Sequence, residues 1–141
     1  MKYSRATNYA LHIMVYLSLM PKGKAIGVEQ LAKMQNLSPT YLSKILTKLV
    51  KAGLLESTPG VNGGYSIAGK PKNISFLDVI HAIEGKTPLF NCSLEHGEFT
   101  NEGCLIENVM AEAEQKMNDE LSNVSICKIA EQMQSLKHKE I

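Results

Sequence analysis

The sequence predicts a mainly α fold with a small β-hairpin, and three observations carry that prediction. Apolar residues recur at helical spacing over most of the 141 residues. The stretch "SPTYLSKILTKLVKAGLL" contains a helix start signal, a continuous apolar stripe and a stop signal. Directly after it, the strand-like runs "LLEST" and "YSIAG" flank the glycine-rich "PGVNGG". A chain of this length makes one domain, or a small domain with an appendage.

The first helix is expected over residues 4–19. Tyr9, Ile13, Leu17 and Met20 fall on one side, and Ala10, Met14 and Val15 make the opposite side apolar too. A helix that is apolar nearly all round is buried on several sides. The run "YALHIMVYLSLM" is too short for a membrane span, which needs about 20 apolar residues, and "PKGKAIG" offers no cleavage site. The latter reads as a turn. "VEQLAKMQNL" then gives a short amphipathic helix with Val28, Leu31, Ala32 and Met34 inward.

In the next segment Ser38 is the N-cap, Pro39 the first helical residue, and Gly53 the stop. Leu42, Ile45, Leu46 and Leu49 recur at i, i+3, i+4 and i+7 and define a core face. Thr40, Lys44, Thr47, Lys48 and Lys51 line the other side. Two short helices joined by a tight turn, the second with a basic, hydroxyl-rich outer face, spell a helix-turn-helix. Cationic side chains bind phosphates, and short polar ones reach base edges in the major groove. Lysines on an outer helix face are also commonplace on solvated helices. The hairpin that follows is what turns the reading toward nucleic acid. Gly60, Asn62, Gly63 and Gly64 tolerate the backbone of a tight tip, and a hairpin placed after a recognition helix is a wing.

Charge agrees with this division. Residues 1–72 carry ten Lys and Arg against Glu29 and Glu56, leaving +8, whereas residues 73–141 carry five basic groups against twelve acidic ones, leaving −7. A basic half joined to an acidic half suggests a polyanion-binding module with a separate assembly or sensing part. The expected domains are therefore a winged helix-turn-helix DNA-binding unit over 1–72, and a linking helix, a cysteine-containing sensor loop and a dimerisation helix over 73–141.

In the second half, Ser75 and Asp78 form a capping-box pattern and Gly85 closes the helix that follows. Leu77, Ile80 and Ile83 are expected to face the winged unit. "CLIENVMAEAEQKMNDELSNV" carries a long stripe of Ile106, Val109, Met110, Ala113, Met117 and Leu121. Eighteen or so helical residues reach about 27 Å. Too little chain remains to cover that stripe, so an antiparallel helix pair between two copies is expected; such dimers suit half-sites roughly 34–36 Å apart on DNA. A short helix from Ser125 to Met133 and a frayed "SLKHKEI" end the chain. No phosphate loop, dinucleotide fingerprint, catalytic triad or paired-carboxylate site is present, so no enzyme is expected.

Three segments, "LSPTYLSKILTKLVKAGLL", "GVNGGYSIA" and "ISFLDVIHAIEG", occur in the order seen in a family of bacterial winged-helix transcription regulators, and from Met1 to about Gln134 the chain resembles that family. Its members include IscR, NsrR and CymR (the Rrf-two type). The resemblance implies a homodimer held by a long C-terminal helix, binding of double-stranded operator DNA, and repression. By position, Ser38, Thr40, Tyr41, Ser43, Lys44 and Lys48 correspond to groove-facing and phosphate-contacting residues, with Asn62 and Gly63 at the wing tip. Many relatives place an Arg on the first wing strand, where Thr58 and Pro59 stand here.

The resemblance also bears on "NCSLEHGEFTNEGC", which holds two of the chain's three cysteines in a polar loop. Iron–sulfur members carry three cysteines there. Cys92 and Cys104 match the outer two, Glu98 holds the middle place, Glu107 replaces a histidine, and Asn8 replaces an acidic ligand on the first helix. His12 resembles a nitrogen ligand of one branch. Three readings follow. Oxidation could link two of the redox-sensing candidates Cys92, Cys104 and Cys127, within or between subunits. A thiolate near a helix N-terminus is favoured, as at Cys104, while Glu95, Glu98 and Glu102 oppose that effect. Cys127, beside Ile126 and Ile129, reads as a core residue more than a sensor. An iron–sulfur cluster could use Cys92, Cys104 and His12. The cysteines could also simply pack, with a ligand or partner protein in control. The thiol switch without a cofactor is the leading expectation. With an odd cysteine count and no signal peptide, the cytoplasm is the expected compartment. A protein-interaction adaptor that regulates an enzyme is the alternative of a different class.

Overall fold

The computed structural model describes residues 2–91 and 103–139, and only the backbone of residues 138 and 139. Helix α1 (Arg5–Ser18) is the central element, with α3 (Pro39–Lys51), α4 (Phe76–Glu84) and α6 (Ile126–Lys139) packed around it. Ala10, Ile13, Met14 and Leu17 are buried on several sides of α1, as an all-round apolar helix requires.

Helix α2 (Val28–Gln35) ends where Asn36 turns left-handed at φ 54°, and Leu37 N–H closes the turn on the Ala32 carbonyl. Ser38 then caps α3, its Oγ accepting from Tyr41 N–H at 3.2 Å. Leu42, Ile45, Leu46 and Leu49 are all buried, each contributing about 2 kcal/mol relative to exposure. The opposite face of α3 lies in solvent.

Strands β1 (Leu55–Thr58) and β2 (Gly64–Ile67) pair antiparallel, with Leu55 opposite Ile67 and Thr58 opposite Gly64. The hairpin is tied to the body by a two-way backbone bridge between Ile26 and Tyr65, at 3.0 and 2.9 Å. That bridge explains Gly64. Its φ is +140°, and a Cβ there would stand 2.4 Å from the Ile26 carbonyl, so only glycine lets the two backbones meet.

A 3₁₀ turn (Pro71–Asn73) leads to α4, whose start carries both halves of the capping box between Ser75 and Asp78. Phe76 N–H donates to the Val124 carbonyl and Ile126 N–H to the Ile74 carbonyl, which lashes the starts of α4 and α6 together. Val79, Ile83, Ile126 and Ala130 join the core built by residues 10–55, so apolar packing continues across residue 72. Helix α5 (Leu105–Ser122) is different, because none of its residues is buried. Leu105, Ile106 and Val109 are 61%, 67% and 66% exposed. Among the described residues, no helix is long and apolar enough to cross a membrane.

Three expectations are corrected. Met34 is 43% exposed and turns away from the core toward a groove beside α1 and α6. On α4 the fully buried position is Val79, while Leu77 is only half-buried, because α1 and α3 approach from Val79's side. The tail is helical as far as Lys139, since Ala130 and Ile129 anchor α6 against the body.

One polar contact fixes the first helix. Glu84 Oε1 accepts from Ser4 N–H at 2.7 Å and from the buried Thr7 hydroxyl at 2.9 Å. The hydrogen bonds from Ser4, opposed by partial burial and aided by Thr7 and the charge of Lys48, hold the Glu84 carboxyl below the ordinary range. A depressed carboxylate stabilises the fold above its unfolded pKa, and that contribution is lost as pH falls through the folded value. Thermal melts should therefore find Glu84→Gln less stable than the parent at pH 7, with the gap closing below the ordinary carboxylate range.

Candidate nucleic-acid interface and cysteine sites

The α3 face predicted to read DNA is open. Ser38, Thr40, Tyr41, Lys44, Thr47, Lys48 and Lys51 are all exposed, on one helix whose other side is locked in the core. Some are already engaged. Ser38 Oγ caps the helix, and the Tyr41 ring sits edge-on to Tyr9 with centroids 6.2 Å apart. Thr47 Oγ1 donates to the Ser43 carbonyl at 2.7 Å, and Ser43 itself is half-buried, which leaves it least available of the set. Lys48 lies near enough to Glu84 to act on its carboxyl.

Strand β1 of the wing packs against α3. Asn62 is exposed, Gly63 half-buried, and Val61 is 103% exposed at the tip. A Cβ on Gly63 would lie 2.0 Å from the Thr58 carbonyl, so the tip closes only with glycine there. Thr47, Lys51 and Val61 are exposed as well, the first two on the same face of α3 and the third at the wing tip. Thr47 and Lys51 are visible in the helical stripe, whereas full exposure of an apolar Val61 has no sequence signal.

The cysteines fall into unlike settings. Cys92 lies outside the described residues. Cys104 is the N-cap of α5, and its Sγ accepts from Glu107 N–H at 3.4 Å. An amide donor at a helix N-terminus favours the thiolate. Cys127 is half-buried on α6 and its thiol donates to Glu131 Oε1 at 3.5 Å. Burial, then the hydrogen bond to Glu131 and its charge, push the Cys127 thiol up against a smaller pull from Lys72.

Geometry removes one pairing. From Cys104 to Ser122 the α5 axis rises about 27 Å, and the five residues on to Cys127 return at most about 18 Å. About 9 Å at least therefore separates the two Cα atoms within a chain, beyond the roughly 7 Å limit for a disulfide.

His12 is exposed on α1, with Nδ1 2.8 Å from the Asn8 carbonyl. When that nitrogen carries the proton, Nε2 is left as the lone-pair donor. His12 edges an apolar groove of about 370 Å³ that Leu11, Tyr16, Met34, Phe76 and Met133 line. Among the described residues no three His, Cys, Asp or Glu side chains come together as a metal group. Cys104 and His12 therefore do not form a cluster site with other described donors of the same chain.

These assignments predict a reactivity order. Iodoacetamide at pH 7, followed by peptide mapping, should label Cys104 several-fold faster than Cys127 in the folded protein. Denaturation should abolish the difference.

Comparison with known proteins agrees with the fold. Residues 3–132 match the Rrf2 family model, described as an iron-dependent transcriptional regulator. The chain is 35% identical over 140 residues to YffB of Lactococcus lactis, classed as an HTH-type transcriptional regulator, covering 95% of this chain and 90% of that one. It is 34% identical over 116 residues to the HTH-type transcriptional regulator NsrR of Halalkalibacterium halodurans, covering 80% and 79%. The crystal structure of the oxidised form of Staphylococcus aureus CymR superposes with a TM-score of 0.71 at 26% identity, covering 93% of this chain and 97% of that one. These relatives are regulators and not enzymes. With a winged helix whose basic face is open and a family match over nearly its whole length, the chain belongs to the Rrf2 family of DNA-binding transcriptional regulators.

Proposed function

We propose that the protein is a homodimeric repressor of the cytoplasm that binds operator DNA through α3 and the wing, and that oxidation of its cysteine thiols controls it. The observation that carries the reading is the open α3 face, where Thr40, Lys44, Thr47, Lys48 and Lys51 project from a helix fixed in the core. Ser38, Tyr41, Asn62 and Gly63 extend that surface at its two ends, and Ser43 contributes least.

The exposed N-terminal part of the α5 stripe supports the dimer, while Met110, Met117 and Leu121 are half-buried. Leu105, Ile106 and Val109 stand in solvent, and a second copy of the same helix would remove them from water. Two α3 helices would then face successive turns of one duplex. The division of labour at residue 72 is one of charge and role, since packing crosses it.

For the sensor, the relevant step is loss of two electrons and two protons from a pair of thiols to an oxidant, which forms one disulfide. Cys104, with its amide-supported sulfur, is the nucleophile of this reading, and Cys92 or a partner's cysteine is the second thiol. Cys127 takes a packing role. The existence of an oxidised form of CymR, a relative, supports the reading. The family's iron-dependent description favours a second reading, in which Cys92, Cys104 and His12 serve an iron–sulfur cluster completed across the dimer. Anaerobic purification followed by iron and sulfide analysis separates the two, because only the second requires stoichiometric iron.

Equilibrium sedimentation should find a dimer that Ile106→Asp with Val109→Asp converts to monomer. Binding to duplex should fall steeply with salt, and Lys44→Ala with Lys48→Ala should flatten the slope by about 0.9 for each phosphate left unneutralised. Diamide should release the DNA and give a disulfide on a non-reducing gel, and Cys104→Ser should prevent both. A serine variant that still responds fully would refute the thiol switch at that position.

A further inference from the structure

The wing raises a problem of charge. Its tip, "PGVNGG", contains no cation, and the charged residue nearest to it in β1 is Glu56. A DNA strand laid against such a hairpin would keep its condensed counterions, so the wing alone gains little electrostatic affinity.

The surface beside the wing supplies what it lacks. A cleft of about 790 Å³ opens between the wing tip and α2, lined by Gly23, Lys24, Glu29, Lys33, Asn62 and Gly63 among others. A second hollow of about 330 Å³ runs between α2 and the start of α3, past Asn36, Leu37 and Pro39. Glu29 and Lys33 line both, so the cleft and the hollow adjoin at these two residues and form an interrupted trough beside the wing tip and the start of α3. Lys24 and Lys33 are exposed along it. Lys24 stands two residues before Ile26, whose backbone bridge to Tyr65 holds this segment and the wing in one rigid piece. Gly23, Gly27 and Gly63 line the cleft without side chains, so backbone can approach closely.

We propose that this trough seats one sugar–phosphate strand of the DNA duplex, with Lys24 and Lys33 as the phosphate contacts that the wing's own sequence omits. The proposal rests on the reading of the chain as a DNA-binding regulator and adds to it an anchor separate from α3. Glu29 acts against that anchor. Its carboxylate lies in the same trough, one helical turn before Lys33, and repels the strand while attracting the lysine.

The test uses the full chain and a fluorescein-labelled mixed-sequence 30-base-pair duplex, with anisotropy followed over a salt series. Lys24→Gln with Lys33→Gln should weaken binding roughly tenfold near 0.1 M salt and lower the log–log salt slope by about 1.8, from about 0.9 per neutralised phosphate. Lys116→Gln with Lys128→Gln removes the same charge from α5 and α6 and should leave the slope unchanged. Glu29→Gln should tighten binding, a gain that misfolding cannot produce. If the Lys24 and Lys33 changes do no more than the α5 and α6 control while Lys44→Gln with Lys48→Gln still weakens binding, the trough is not a DNA seat and the α3 reading survives. If the parent protein ignores duplex even at low salt, both readings fall together.

Discussion

Leu42, Ile45, Leu46 and Leu49 lie in the core, and their burial leaves α3 a single orientation. A helix with one face locked against α1 and α4 must present the other to solvent, and here that face holds three lysines and two threonines. Any rotation of α3 that hid Lys44 or Lys48 would also drag leucines into water, at about 2 kcal/mol each. The face proposed to meet DNA is thus held in place without needing interactions of its own. The Ser38 cap and the left-handed Asn36 fix where it begins. Glu84, reaching back to Ser4 and Thr7, fixes the helix against which it packs.

The same economy governs the wing. A two-stranded hairpin is marginal alone. This one is held because Gly64 allows Tyr65 and Ile26 to exchange backbone hydrogen bonds, which adds the 26–27 segment to its edge. Position is secured by backbone, and so the tip is free to vary in side chains. It carries no arginine, and the lysines that line the cleft beside it, Lys24 and Lys33, come from the turn before α2 and from α2. By contrast, α5 packs against α4, yet Leu105, Ile106 and Val109 in its first turns remain largely exposed. Its N-terminus is also where Cys104 sits. Any chemistry at that sulfur would act at the start of the helix proposed to clasp two copies, and α4 packs against both α5 and α3.

Much of this is legible in the order of residues. Ser38, Pro39 and the four-residue apolar stripe announce α3 because cap and periodicity agree there. Ser75 and Asp78 announce α4 for the same reason. Met34 escapes such a reading because an eight-residue helix has too few turns for periodicity to say which edge meets α1 and α6. Val79 hides behind Leu77, because "FLDVI" is apolar at several phases and only the approach of α1 and α3 selects one. The full length of α6 is obscured by a polar C-terminal composition, although Ile129 and Ala130 have the spacing to anchor it. The bridge between Ile26 and Tyr65, like the trough beside it, joins residues 39 apart. No local pattern reports that. At the cysteines, spacing shows two thiols near one loop, but only the rise of α5 shows that Cys104 and Cys127 cannot join within a chain.

Lysine acetylation footprinting, read by mass spectrometry with and without duplex, tests the central claim most directly. Genomic fragments selected for binding would serve as the duplex. The account predicts that DNA shields Lys44, Lys48 and Lys51 on α3 while Lys116 on α5 and Lys128 on α6 react as before. Equal reactivity of the α3 lysines in the two states, or shielding confined to α5 and α6, would show that DNA does not lie on the face that the core holds outward.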